Sequence, residues 1–329
     1  MNNESGILLS VDALSLAVEN LTSPPVLAFV LGALAVVVRS DLRLPDPIHT
    51  WLSAYLLLAI GLKGGSALRD VDPSDLIGPA VATLVIGLVT PIVTYASGRR
   101  LLALNRDDSG ALAAHFGSVS VVTFTAATVF VAEAGHSVEG FMTSLVALLE
   151  IPGIIVALML VSMRGSGGGW TKALHEVLTG RSVLLLVGGL VIGGVASDAA
   201  FARVEPFFVD MFTGLLVLFL LDMGATAAAR LRGSRSLTPR VIAFGLTAPL
   251  VFGALGVVAG TIAGLSLGGA AVLGTMAASA SYIAAPAATR LALPDADHGL
   301  SLGVALGVTF PFNLALGIPI YVTLADLLA

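Results

Sequence analysis

The chain has 329 residues, of which 57% are hydrophobic and only 11% charged, against roughly 25% charged in an ordinary soluble domain. A mean hydropathy of +0.99 and a net charge of −5, with no basic cluster, exclude a water-soluble globule and a nucleic-acid-binding surface. There is no cysteine, so disulfides, thiolate metal sites and a cysteine nucleophile are excluded too. The composition is that of an all-α integral membrane protein.

Residues 1–23 carry Glu4, Asp12 and Glu19 but no Lys or Arg, the wrong charge for a cleavable signal peptide. They read as a short outward-facing segment. From Pro24 onward about ten apolar runs approach the roughly 20 residues that a spanning helix needs. Their extents are 24–38, 47–68, 76–97, 109–134, 140–163, 182–199, 207–229, 240–262, 269–291 and 299–327. Such runs are too long and too uniformly apolar for barrel strands. With the N-terminus outside, 13 of the 16 Lys and Arg fall on inner connections, leaving only Lys63, Arg69 and Arg203 outside. This asymmetry predicts that both termini face outward.

Displacing the sequence by 161 residues lays Gly32 on Gly193, Pro45 on Pro206, Arg69 on Arg230, Ser118 on Ser279, Ser120 on Ser281 and Thr128 on Thr289. One constant offset through prolines, arginines and paired serines predicts a duplication. The first five-helix repeat covers 24–164, a cytoplasmic connector 165–181 and the second repeat 182–329. An odd number of spans per copy makes the copies cross the membrane in opposite senses, the inverted repeat of many secondary transporters. The glycine-rich connector has room for a short interfacial helix around 170–178 and no cytoplasmic domain.

The fourth span is interrupted by Gly117, Ser118, Val119 and Ser120, and the ninth, at the same offset, by Ala278, Ser279, Ala280 and Ser281, with Pro286 following. Unwound backbone at membrane depth persists only around a cavity or ligand, so these eight residues are the candidate binding site. A half-helix N-terminus carries about half a positive charge. Two of them with four serine hydroxyls suit a small monovalent oxyanion. Thr123 and Thr125 offer hard oxygen ligands for Na⁺ beside it. Glu150, in Glu150-Ile151-Pro152-Gly153, adds a buried carboxylate, and Pro311 with Asn313 predicts a break and an amide in the tenth span. Tyr282 and Asp210 are weaker candidates, and Lys63 and Asp222 read as interfacial. His115 reads as a packed neutral histidine, and Gly256, Gly260 and Gly264 as a helix-packing stripe. The chain has no HExxH, no G-x-S-x-G and no histidine pair at ligand spacing. It reads as no enzyme, without a cofactor or transition-metal site.

These motifs bring out a resemblance. SPPVLAFVLGAL near the start, IGLKGGSALR, FGSVS, the E-I-P-G turn and ASASYIAAPAATRLALPDA resemble the sodium-dependent bicarbonate transporter (symporter) family, first associated with cyanobacterial carbon concentration, over essentially the whole chain. The resemblance implies a multi-pass protein of the bacterial cytoplasmic (inner) membrane with periplasmic termini. It also implies a mobile core of spans three to five and eight to ten against a gate of spans one, two, six and seven. A homotrimer, Na⁺-coupled HCO₃⁻ uptake and inhibition by a PII-like cytoplasmic protein complete the pattern. Carried over, the anion lies by Gly117 to Ser120 and Ala278 to Ser281. The Na⁺ candidates read from the residues are Thr123, Thr125, Glu150, Tyr282 and Asn313. The cyanobacterial members have Asp where this chain has Glu150, Asp where it has Tyr282, and a longer inner loop. Two other readings stay open. One is a symporter of another small carboxylate or an Na⁺/H⁺ antiporter working through Glu150. The other is a non-transporting membrane receptor for a PII-like protein.

Overall fold

The computed structural model of the chain describes residues 18, 20–42, 44–69, 71–162, 175, 178–233 and 236–329. Most of the outward N-terminal segment, and the connector with its expected interfacial helix, lie largely outside these residues.

Among the described residues all regular structure is helical. The first half contains α1 (Pro24–Val37), α2 (Asp46–Leu68), α3 (Pro73–Arg100), α4 (Arg106–Gly117), α5 (Val121–Glu133) and α6 (Met142–Ser162). The second contains α7 (Arg181–Val195), α8 (Phe212–Gly233), α9 (Pro239–Ile262), α10 (Leu267–Ala278), α11 (Ala284–Ala292) and α12 (His298–Leu328). Seven of these segments are long and apolar enough to cross a membrane: α2, α3, α4 with α5, α6, α8, α9 and α12. The shorter helices α1, α7 and α10 are apolar as well. Large apolar side chains such as Ile77, Val85, Leu184, Val195 and Ile262 stay exposed, as a lipid-facing surface requires.

Capping side chains set several helix starts. Asn105 accepts from Asp108 N ahead of α4, and Ser266 accepts from Gly269 N ahead of α10. Both helices have 12 residues, and their bounds and caps are displaced by the offset seen in the sequence. Each cap satisfies one N–H that the first turn leaves without a helical partner.

Three expectations need correction. Pro311 does not break α12. The helix instead widens into π-turns at Ala305–Thr309 and Asn313–Gly317, which absorb the proline without unwinding the chain. Asn20 fills the side of the second π-turn, its Nδ2 donating to Leu314 O at 2.6 Å and Ala315 O at 3.2 Å. The expected span 207–229 opens in a separate π-turn, Pro206–Asp210, and the helix proper, α8, covers Phe212–Gly233. Asp222 therefore falls in the middle of α8, buried, instead of at an interface. Of the glycine stripe, Gly256 and Gly260 do lie against α10, but Gly264 adopts a left-handed φ of +84° and ends α9.

α2 packs along α7 and α1 along α8, while α3 lies against α4 and α6, and α10 against α9, α5 and α12. The first two contacts are backbone on backbone. A Cβ on Gly32 would lie 1.8 Å from Leu221 O, and one on its offset mate Gly193 would lie 2.1 Å from Leu62 O. Only glycine permits that approach, and between lipid-embedded helices such close packing replaces the hydrophobic effect as the source of adhesion.

Candidate functional site

α4 ends at Gly117 because α6 is pressed against it there. A Cβ on Gly153 would fall 1.7 Å from Gly117 O, and one on Gly117 would meet Pro91 Cβ at 2.8 Å. Ser118 (φ −117°, ψ 153°) and Ser120 (φ −92°, ψ 108°) are extended. Ser120 then restarts the helix, its Oγ accepting from Thr123 N at 3.2 Å and from Thr123 Oγ1 at 2.8 Å. In the second half Ser279 (φ −81°, ψ 165°) leaves α10 in the same way, and α11 begins at Ala284 without a side-chain cap.

The two interruptions cross. Ser120 N donates to Ser279 Oγ at 2.9 Å, and Ser281 N donates to His115 O at 2.7 Å. His115 returns a second bond, Nδ1–H to Ser281 O at 2.6 Å. A carbonyl can only accept, so this contact fixes the tautomer. His115 thus clasps the second break to the end of α4, as the packed-histidine reading expects. All eight candidate anion residues come together at this crossing, each nearly free of solvent or fully buried. The Ser118 hydroxyl is buried with no hydrogen-bond partner among the described residues.

The five candidate Na⁺ residues do not all converge. Glu150 and Tyr282 line a narrow cleft of about 10 Å³ with Val119, Ser120, Ser182 and Ser281, on the order of one water molecule. Glu150 is 2% exposed, and its Oε2 has no partner among the described residues. The Tyr282 hydroxyl faces Ser120 without a hydrogen bond of ordinary geometry. Thr123 borders this group through Ser120. Thr125 donates to Val121 O at 2.8 Å and faces a different cavity. Asn313 is a brace: Nδ2 donates to Ala278 O at 2.8 Å, and Tyr321 OH approaches Asn313 Oδ1 and Pro249 O, each at 3.0 Å. Asp210 is exposed at the end of its π-turn.

Two larger cavities flank the crossing. One, about 580 Å³, lies between α2, α8 and α12 and reaches Tyr282 and Ile283. On its wall His49 Nδ1 meets Asp222 Oδ2 at 2.7 Å, a part-buried pair that sequence spacing does not announce because its members are 173 residues apart. The other, about 360 Å³, lies at the opposite end of α2 and reaches Phe124 and Thr125. Tyr282 stacks edge-on against Phe310, and Phe310 against Phe29 of α1, so an aromatic line joins the break to the paired helices α1 and α8. Ser182, which opens α7 beside the cleft, also escaped the sequence reading, because it is an ordinary serine without a repeat mate of its own kind.

The model of the Na⁺-dependent bicarbonate transporter superfamily matches residues 24–326, from the first helix to the last. The chain belongs to that superfamily. It is a multi-pass membrane protein of a transporter family, and both interrupted spans lie inside the matched region. No curated protein matches the chain.

Proposed function

We propose that this protein is a secondary active transporter that couples Na⁺ to the uptake of bicarbonate, or a similar small monovalent anion, by alternating access. The observation that carries this reading is the crossing of the two breaks, tied by Ser120 N to Ser279 Oγ and by the His115–Ser281 exchange. Extended backbone inside a membrane protein needs a cavity or a ligand to justify it. Here the two extended segments hydrogen-bond across the crossing, and each leads into a helix start, α5 at Val121 and α11 at Ala284, worth about half a positive charge. The Ser118 hydroxyl has a donor to spare. Glu150 supplies the negative charge that a cation beside the anion needs, and the Thr123 and Tyr282 oxygens lie near it.

The shared offset of α4 and α10 supports an inverted repeat of ten spans. The close pairing of α1 with α8 and α2 with α7 supports a gate of these four helices, against which α3–α6 and α9–α12 move as an elevator-like core. The flanking cavities are then the inner and outer approaches. Both termini face the periplasm in this reading, and the protein sits in the bacterial cytoplasmic membrane. A homotrimer and a PII-like cytoplasmic partner follow from the family resemblance, and mass measurement in detergent and pull-down check them.

The test is uptake of radiolabelled bicarbonate into proteoliposomes with and without an inward Na⁺ gradient. Accumulation that collapses when choline replaces Na⁺ supports both substrate and coupling. Absence of uptake by folded protein under both conditions overturns bicarbonate as the anion. A second reading, with H⁺ as the coupling ion, is favoured by the unpartnered Glu150 oxygen, since a carboxyl without a cation can hold a proton. Uptake driven by a pH gradient in choline would select it.

A further inference from the structure

The cavity of about 360 Å³ is lined by α2 (Ala59, Ile60, Lys63, Ala67), by α5 and the loop after it, by Met142 and Thr143 of α6, and by Phe212. Lys63 is the one lysine among the described residues. It lies five residues before the end of α2, between the buried Leu62 and Gly64, with its own side chain exposed to this cavity. A lysine near a helix end commonly reaches for the lipid headgroups. This one lines a space whose lining includes Phe124 and Thr125, a turn beyond the first break.

Lys63 forms no ion pair among the described residues. The carboxylate sharing the cavity, Glu139, is held toward α10 by one oxygen, while its Oε2 is buried without a hydrogen-bond partner among the described residues. Glu139 Oε1 accepts from Ser266 N at 2.6 Å, and the group sits over the first turn of α10, where a Cβ on Gly269 would meet Oε2 at 2.0 Å. There the carboxylate offsets the positive end of the α10 dipole. His136, on the same wall, adds a nitrogen and no negative charge. The remaining polar lining is neutral: Thr125 and Thr128 donate their hydroxyls to Val121 O and Thr125 O.

We infer that this cavity is an anion-recruiting vestibule in which Lys63 holds the small anion electrostatically before it reaches the crossing at Ser118 to Ser120. A charge held in a low-dielectric cleft without an ion-pair partner focuses the field and raises the local concentration of the opposite ion. This inference rests on the reading of the protein as a transporter of a small anion. Lys63 touches the anion only on its way in, so it governs the concentration needed for transport and not the maximal rate.

Two experiments test it, and the absence of native cysteine makes both clean. In Lys63→Cys the bicarbonate KM should rise about three- to tenfold at low ionic strength, with kcat and the half-saturating Na⁺ unchanged. Modification with a cationic aminoethyl thiosulfonate should restore the KM, and an anionic sulfonatoethyl reagent should not. An unchanged KM, or equal effects of the two reagents, overturns the proposal. The second experiment needs no transport. Ser137→Cys places a thiol on the same wall, and the anionic reagent should modify it faster than the cationic one. That preference should fall about three- to tenfold when Lys63→Gln is added. A preference that does not depend on Lys63 overturns the vestibule even if bicarbonate uptake is confirmed. A Lys63-dependent preference in a protein that does not move bicarbonate keeps the vestibule and removes only the identity of the anion.

Discussion

Ser279 accepts, through its hydroxyl oxygen, the backbone N–H of Ser120 at 2.9 Å, and in the same geometry its own hydroxyl donates to Met276 O at 2.8 Å. One side chain therefore satisfies both halves of the fold at the point where neither is helical. Ser118, one strand of the crossing away, has no such duty.

That contrast separates the two serines experimentally. Ser279→Ala leaves a buried N–H without its partner and should lower stability by about 1–3 kcal/mol as well as uptake. Ser118→Ala removes a hydroxyl that bonds nothing else, so melting should change by under about 0.5 kcal/mol while uptake is lost. Uptake assays and thermal melts in detergent check both. Uptake unchanged in the Ser118→Ala, Ser279→Ala double variant would remove the anion from the crossing.

Gly153 touches Gly117 O at a distance that admits no side chain. Gly153→Ala should push α6 away from the end of α4 and misplace Ser118. Uptake should be abolished, with a stability loss of about 1–3 kcal/mol, the usual cost of overpacking. A Gly153→Ala protein with normal uptake would mean that the break does not depend on this contact.

Glu150→Gln keeps the size of the side chain and removes its charge. If the carboxylate faces Na⁺, half-saturating Na⁺ should rise about tenfold or more with little change in melting temperature. If Na⁺ dependence is untouched and only pH-driven uptake is lost, the carboxyl carries a proton instead.

The His49–Asp222 pair should respond asymmetrically. His49→Ala strands a carboxylate that is only 8% exposed, and a cost of about 1–3 kcal/mol follows, below that of a fully buried pair because His49 is partly exposed to the cavity. Asp222→Asn leaves a neutral pair and should cost under about 1 kcal/mol. Thermal melts of the two variants side by side test this, and equal losses would mean that the charge is already compensated by other groups.

Outside the spans, Asp297 caps α12, accepting from Leu300 N at 3.0 Å and from the Ser236 hydroxyl. The Ser236 bond, with backbone N–H bonds behind it, holds its carboxyl below the usual aspartate range despite some burial. A depressed folded pKa stabilises above the unfolded value of about 3.9, and that stability is lost as pH falls through the folded pKa. Wild type should therefore melt lower at pH 3 than at pH 5, by an increment that Asp297→Ala lacks. The same variant should lose about 1 kcal/mol of capping at pH 7.

Both breaks were legible from Gly117 to Ser120 and Ala278 to Ser281, because an offset repeated in small polar residues survives in the linear chain. The role of Pro311 was not. A proline predicts a missing donor, but whether the helix unwinds or widens depends on Asn20 and the other groups that reach its carbonyls. Asp222 was placed at an interface because the expected span ended at 229, and its partner His49, 173 residues away, lies beyond any local period.

The sequence by itself determined the solvent of this protein, its helical character, the doubled serine motif and the family. Each of these is set by composition or by spacing along the chain. Only the tertiary structure decided which candidates share a site. It drew Glu150 and Tyr282 to the serines, turned Thr125 to another cavity and made Asn313 a brace. It also held Glu139 over the start of α10, so that Lys63 forms no ion pair among the described residues. Those outcomes depend on which helix packs against which, and in a bilayer that is settled by backbone contacts at glycines such as Gly117 and Gly153, which carry no chemical signal of their own.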